Sequence, residues 1–160
     1  MTREPTELQR SLVDEAMLLR GRIVASYSQV EFLLADISVK LDLRFPYLVK
    51  DRIKAVKRIA ERNGYEVYKE DLDRMCDELL RYEELRHFMA HGFMSLTTDK
   101  KDKHQFEFRR YQREGDGKFT FTSAQTTVAH LRQAAGDITE YVLNAIRLFE
   151  RIYREQKLET

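Results

Sequence analysis

The chain has 160 residues, of which 42% are hydrophobic and 34% charged, proportions typical of a helix-rich globular protein, and its length suits one domain, 1–160. A formal net charge of +1 argues against a protein that coats nucleic acid by bulk electrostatics, and the single cysteine, Cys76, excludes an internal disulfide framework. No apolar stretch approaches the roughly 20 residues of a membrane span, so we expect no membrane partner, and the single cysteine makes the cytoplasm the simplest location.

The first predicted element is a long helix from about Thr6, its N-terminal cap, to Leu43. Apolar residues recur along it in steps of three and four, as in a helix packed on one face. They are Leu12, Ala16, Leu19, Ile23, Tyr27, Val30, Leu34, Ile37 and Leu41. Gly21 leaves two possibilities open, one bent helix or two helices in series.

Two further helices are predicted before the middle of the chain. The second spans roughly Lys50 to Arg62 and stops at Asn63-Gly64, a common C-terminal pair. The third spans about Lys69 to Ala90, and Gly92 is its candidate terminator. Cys76 lies on the apolar face of this third helix, which indicates a core thiol.

After the third helix the hydrophobic pattern changes from helical spacing to alternation. Short strands are predicted at 93–97, 105–111 and 119–121, so that an antiparallel β insertion covers about 93–122. A last helix from about Ser123 to Glu155 carries an unbroken apolar stripe. Its members are Val128, Leu131, Ala135, Ile138, Val142, Ala145, Phe149 and Ile152.

This order of elements predicts a mainly α fold. We expect an up-and-down helical bundle of four to five helices, with the small antiparallel β insertion between its last two helices. The first and last helices are longer than the second, so their apolar seams extend beyond it. Because protruding apolar seams are usually buried by another copy of the chain, we expect a two-fold homodimer.

Charged residues are segregated in the middle of the chain. The run from Arg44 to Arg62 is basic, and the run from Glu66 to Glu84 is mainly acidic. Two interpretations stay open: the two helix faces attract each other, or a basic stripe guides RNA towards a neighbouring site. The stripe residues are Lys50, Lys54, Lys57 and Arg58.

The most informative segment is Leu85–Gly92, near the end of the third helix. The residues that precede Arg86 in steps of three and four are apolar or aromatic, so this arginine occupies a slot that the pattern reserves for the core. A guanidinium is costly to bury unpaired, which indicates a buried ion pair or an anion-binding cleft. His87 and His91 add side chains that exchange protons near neutral pH. Together these residue types favour phosphate chemistry.

The segment Arg86–His91 resembles the Arg-x(4 to 6)-His signature of the HEPN superfamily of helical-bundle proteins, in which a polar residue commonly follows the arginine. His87 fits that preference, and Ala90-His91-Gly92 is similar to the way many members close the motif. The segment 27–36, with Glu31 among apolar residues, resembles their first long helix. The resemblance covers roughly the first two thirds of the chain and the last helix.

The resemblance implies metal-independent RNA cleavage, as in many active members, or binding of nucleotide or RNA without cleavage, as in others. In the active case His91 is the general base on the ribose 2′-hydroxyl, and Arg86 holds the phosphate. His87 orients the phosphate or protonates the leaving oxygen. The supporting candidates are Tyr27, Glu31 and Glu83. No metal or cofactor is expected.

The resemblance also implies partners. Members typically dimerise so that two motifs line one cleft, and the expected ligand is single-stranded RNA. An antitoxin or another protein partner stays open, as does the choice between a toxin, a defence effector and a housekeeping factor. Toxin-like members carry a tyrosine two residues after the motif histidine, which a partner nucleotidyltransferase modifies. This chain has Phe93 there, so we do not expect that modification.

The spacing of the motif raises a geometric question. Arg86 and His91 are five residues apart, and on an ideal helix such residues point about 140° away from each other. They converge only if the helix ends or distorts near Ala90, or if they meet across a dimer.

Two other interpretations stay open. In the first, Arg86 is a structural arginine that pairs with Glu31 or Glu83, and the protein is a non-catalytic dimeric module that binds nucleotide, RNA or a protein. In the second, His87 and His91 share a metal ion, because residues four apart lie on one helix face. The sequence contains no His-Glu-x-x-His and no second Glu-x-x-His, which weakens the metal interpretation.

Overall fold

The computed structural model describes residues 4–158, in which the chain forms four α-helices and one antiparallel sheet. The helices are α1 (Glu7–Lys40), α2 (Val49–Lys57), α3 (Lys69–His91) and α4 (Val128–Glu155). Two short 3₁₀ helices, Arg58–Glu61 and Glu66–Tyr68, lie between α2 and α3. The strands β1 (Phe93–Thr98), β2 (His104–Glu114) and β3 (Lys118–Thr126) lie between α3 and α4 and pair in the order β1-β2-β3. The predicted fold class, mainly helical with a small sheet before the last helix, is confirmed.

The first helix is a single element. α1 continues without interruption through Gly21, so the alternative of two helices in series is wrong. Thr6 caps it as predicted: its Oγ1 accepts the Gln9 N–H at 3.2 Å, and its own N–H donates to the Gln9 side-chain oxygen at 2.9 Å. This reciprocal pair is a capping box. The helix ends at Lys40, three residues before the predicted end, because Asp42 turns into the left-handed region with φ 52°.

The second helix is shorter than predicted. α2 ends at Lys57, and Arg58–Glu61 tightens into a 3₁₀ turn instead of continuing as α-helix to Arg62. Such tightening is common in the last turn of a helix, where backbone carbonyls lack partners four residues on. Gly64, in the predicted terminating pair, has φ 87°, a conformation that glycine adopts without steric cost.

The strands are longer than predicted, and this moves the start of the last helix. Ser123, expected to begin that helix, belongs to β3 instead and pairs with Arg109 of β2. The helix starts at Val128, and Thr127 caps it by accepting the His130 N–H at 3.2 Å. All eight predicted stripe positions of α4 are buried.

The register of the sheet separates two faces. Phe106 and Phe108 of β2 are each 1% exposed and define the inner face. Because side chains alternate along a strand, Arg109 of β2 belongs to the outer face. Phe93 of β1 pairs with Arg109 and lies on the same face. A tight turn joins β2 to β3, with Gly117 at φ 73°.

The chain divides into two compact units. One comprises the described part of Met1–Val24 together with Glu84–Asp137, and it contains the whole sheet. The other comprises Ala25–Glu83 and the described part of Ile138–Thr160. In the second unit the buried Tyr141 hydroxyl of α4 donates to the Met75 carbonyl of α3 at 2.7 Å. Of the helices in residues 4–158, none combines the length and apolarity that crossing a bilayer requires.

Candidate functional site

The two histidines of the motif lie together at the end of α3. Their ring centroids are 6.1 Å apart and their planes meet at 61°. Residues four apart occupy one face of a helix, which explains this proximity. His87 is half-buried and His91 is exposed. The helix end therefore presents a pair of imidazoles, one of them open to solvent.

Arg86 occupies a different side of the same helix. Its side chain is half-buried, as expected for a charged residue in a core slot. α3 stays α-helical from Arg86 to His91, where it ends, one residue after Ala90. On an ideal helix these two residues point about 140° apart. The contact that the structure shows within the motif is the one between the rings of His87 and His91.

The junction after the histidines depends on Gly92, which is buried and is the one residue between α3 and β1. Its N–H donates to the Phe88 carbonyl oxygen at 2.8 Å. A Cβ atom at this position would lie 2.5 Å from that oxygen and 3.4 Å from the Phe108 side chain. Glycine is therefore the residue that fits without displacement, and its predicted role as terminator is confirmed.

A second arginine, Arg20 of α1, holds this junction. Its Nε donates to the Met89 carbonyl oxygen, and its Nη2 donates to the Gly92 carbonyl oxygen at 2.9 Å. Carbonyls at the end of a helix lack intrahelical partners, and a cation there also interacts favourably with the helix dipole. Arg20 thus caps the helix end that carries His91.

Sequence reasoning missed Arg20, although a signal was present. Arg20 follows Ala16 by four residues and precedes Ile23 by three, and both of these residues are fully buried. It therefore occupies an apolar slot, as Arg86 does. The same criterion, applied along the whole chain, would have selected both arginines.

Two cation–π contacts attach the inner face of the sheet to the helices of this unit. The Arg110 guanidinium lies 4.9 Å from the ring centroid of Phe88 in α3. The Arg20 guanidinium lies 5.9 Å from the ring centroid of Phe108 in β2. Contacts of this kind are attractive because the ring face is electron-rich.

The supporting candidates Tyr27, Glu31 and Glu83 belong to the other compact unit. Tyr27 is 1% exposed, and the two glutamates are half-buried. Glu31 Oε1 lies 3.8 Å from Nη1 of Arg52 and forms an ion pair with it. Their supporting role in catalysis stays a prediction.

The four residues of the predicted basic stripe have different surroundings. Lys57 Nζ lies 2.5 Å from Asp77 Oδ1 of α3, and this hydrogen bond raises the pKa of Lys57. Lys54 and Arg58 lie 3.8 Å and 3.6 Å from carboxylates three residues away, and Lys50 is exposed. The Lys57 contact supports the interpretation in which the basic and acidic faces attract each other.

Neither a reactive thiol nor a metal cluster is evident near the histidines. Cys76 is fully buried, and burial raises the pKa of its thiol to about 12, as suits a core residue. Within residues 4–158, histidine, cysteine, aspartate and glutamate side chains form no group of three that could hold a metal ion.

Comparison with known proteins gives no relative for this chain: no protein-family model, no curated protein and no solved structure matches it. The likeness to HEPN proteins therefore depends on the residues of the motif and their place in the fold.

Proposed function

We propose that the chain is a metal-independent endoribonuclease built on an up-and-down helical bundle of the HEPN type. The observation that carries this proposal is the imidazole pair at the end of α3, with ring centroids 6.1 Å apart and His91 open to solvent. Two imidazoles at this separation suit one reacting phosphate, because a proton-transferring nitrogen must approach its partner atom to about 2.6–3.2 Å.

The proposed reaction needs only side chains and the RNA itself. His91 takes the proton of the ribose 2′-hydroxyl while that oxygen bonds to the adjacent phosphorus. The bond from phosphorus to the 5′-oxygen breaks, and His87 donates a proton to that leaving oxygen. The products are a 2′,3′-cyclic phosphate and a 5′-hydroxyl. DNA lacks the attacking group and is not cleaved.

Arg86 enters this reaction as the phosphate-binding group. Its guanidinium fork engages two phosphate oxygens and offsets the charge that develops in the transition state. Because α3 carries Arg86 and His91 on different sides, we assign the arginine of each site to the second copy in a homodimer. An exposed apolar groove supports self-association. It is lined by Ala25, Ser28, Gln29, Phe32, Leu33 and Ile146.

Cleavage of a single-stranded RNA in the presence of a chelator tests the proposal. The wild-type protein should generate cyclic phosphate ends, and His91→Ala should lower the rate about a hundredfold or more. His130→Ala is the matched control, because His130 is also exposed but lies in α4. Equal rates for the wild type and His91→Ala, or loss of wild-type cleavage with the chelator, would remove the proposal.

A second candidate function is a non-catalytic dimeric module that binds nucleotide, RNA or a protein such as an antitoxin. The observation that favours it is that α3 stays helical from Arg86 to His91, because residues five apart on an ideal helix point about 140° away from each other. This alternative predicts binding that Arg86→Ala abolishes, with no cleaved product under any condition.

A further inference from the structure

The outer face of the sheet carries an unusual concentration of exposed aromatic rings. Phe93, Tyr111, Phe119 and Phe121 are exposed by 65%, 70%, 63% and 53%. They lie on one face, because Tyr111 pairs with Phe121, and Phe93 and Phe119 pair with residues two positions from Tyr111 along β2. Of the seven phenylalanine and tyrosine side chains that are exposed within residues 4–158, four lie here.

Two arginines lie among these rings. Arg109 is paired with Phe93, and its guanidinium lies 5.1 Å from the centroid of that ring. Arg113 is paired with Phe119 and is exposed. Glu107 shares this face and is half-buried. Within the described part of the chain, neither Arg109 nor Arg113 forms an ion pair with it or with any other carboxylate. We call Phe93, Arg109, Tyr111, Arg113, Phe119 and Phe121 the aromatic face.

We infer that the aromatic face binds single-stranded nucleic acid by base stacking. Every base has a π surface that stacks on an aromatic ring, and cations placed between such rings attract the phosphate backbone. Rings on successive rows of a sheet face are separated by about 6.8 Å, because the rows are two residues apart along a strand. Tyr111 and Phe121, with ring centroids 5.5 Å apart, form the middle of this surface.

The aromatic face lies next to the candidate histidines in the sequence. Its biological role as a substrate-binding surface rests on the proposed nuclease function. Phe93 follows His91 by two residues, so their Cα atoms are at most about 7 Å apart. A nucleic-acid strand that stacks on the aromatic face therefore reaches the exposed imidazole of His91. The substrate bound in this way is single-stranded, because the bases of a duplex are not available for stacking.

A second copy of the chain fits this surface less well. In a two-fold interface the same patch of both copies is buried, so the arginines Arg109 and Arg113 of both copies would enter one interface. Like charges opposed in an interface are costly. A polyanion complements them instead.

The test uses the His91→Ala protein, so that RNA is bound without being cut. Fluorescence anisotropy measures binding of labelled single-stranded RNA, single-stranded DNA and duplex RNA of roughly 12 nucleotides. Stacking does not involve the 2′-hydroxyl, so we expect both single strands to bind with similar affinity and the duplex to bind at least tenfold more weakly. Tyr111→Ala combined with Phe121→Ala should weaken binding of both single strands about tenfold or more.

Tyr47→Ala is the matched control, because this tyrosine is 90% exposed but lies outside the sheet. It should leave the affinity unchanged, and circular dichroism should show that all variants are folded. The inference is overturned if the folded double variant binds single strands as well as its parent. It is equally overturned if the double variant changes only the oligomeric state, which would identify the face as a protein interface.

The outcomes separate this inference from the proposed function. Wild-type protein that binds single strands through the aromatic face but leaves no cyclic phosphate ends contradicts the nuclease proposal alone. If the wild-type protein cleaves RNA and the double variant cleaves and binds RNA equally well, only the assignment of nucleic-acid binding to the aromatic face is contradicted.

Discussion

Arg20 and Gly92, 72 positions apart in the sequence, are joined by a hydrogen bond of 2.9 Å from the arginine Nη2 to the glycine carbonyl oxygen. The same guanidinium donates through Nε to the Met89 carbonyl oxygen. α1 thereby fixes the end of the helix that carries the candidate histidines. The geometry of the candidate site depends on a residue outside the motif.

Replacement of Arg20 by alanine should destabilise the protein by about 2 kcal/mol, because two carbonyl oxygens lose a charged donor. Chemical denaturation measures this change. Arg20→Lys should recover only part of the loss, since an ammonium group lacks the planar fork that reaches both oxygens. Arg22→Ala is the control: Arg22 is exposed on the same helix, and its removal should change stability by less than about 0.5 kcal/mol. Equal effects at the two positions would contradict the capping role.

The glycines offer a paired experiment on the junction. Gly92→Ala should lower the free energy of unfolding by about 1–3 kcal/mol, because the new methyl group would meet the Phe88 carbonyl at 2.5 Å. Gly21→Ala should raise it by about 0.5–1 kcal/mol, since the added carbon would meet nothing within 4 Å beyond the surrounding helix backbone and alanine favours the helix. Thermal and urea unfolding compare the two variants. A neutral Gly92→Ala would show that the junction is not tightly packed.

Stability should fall in mild alkali because of Cys76. Burial raises the pKa of its thiol from 9.0 to about 12, so above pH 9 the unfolded state loses a proton that the folded state keeps. The contribution of the protonated Cys76 thiol to stability is therefore fully present below pH 9. As the pH rises above 9, the free energy of unfolding falls by at most about 1.4 kcal/mol per pH unit. Urea titrations between pH 8 and pH 10 measure the slope. Cys76→Ala should make it shallower; an unchanged slope would assign the effect to other groups.

Mixing of two inactive variants tests whether the site is shared between copies. Arg86→Ala and His91→Ala should each be inactive alone. If Arg86 and His91 act from different copies, a heterodimer of the two variants contains one site with both residues intact, and activity should return after the proteins are unfolded and refolded together. If both residues act from one chain, every site lacks one of them and the mixture should stay inactive. Size-exclusion chromatography with light scattering establishes the oligomeric state of each sample.

The last helix shows what the sequence could predict. The α4 stripe keeps steps of three and four over its whole length, and all of its predicted core positions are buried. This information is local, because the helical period alone determines which side chains share a face. Thr6, whose capping partner is only three residues away, was predictable for the same reason.

The remaining features depend on partners distant in sequence. Ser123 belongs to β3 because it pairs with Arg109 of β2, and the sequence around Ser123 does not indicate that pairing. Arg20 acquires its role from carbonyls about 70 positions later. The geometry of the motif could be predicted only in part. The spacing predicted that Arg86 and His91 diverge on a continuous helix, but only the structure shows that α3 stays helical from Arg86 to His91.

The direct passage from α3 through Gly92 into β1 also constrains how this protein can tolerate changes in length. The hairpin tips at 99–103 and 115–117 can gain or lose residues without altering which side chains point outward. One additional residue at the junction would reverse the alternation of β1 relative to the helix and turn Phe93 inward. Insertions and deletions should therefore accumulate at the hairpin tips during evolution and be selected against at position 92.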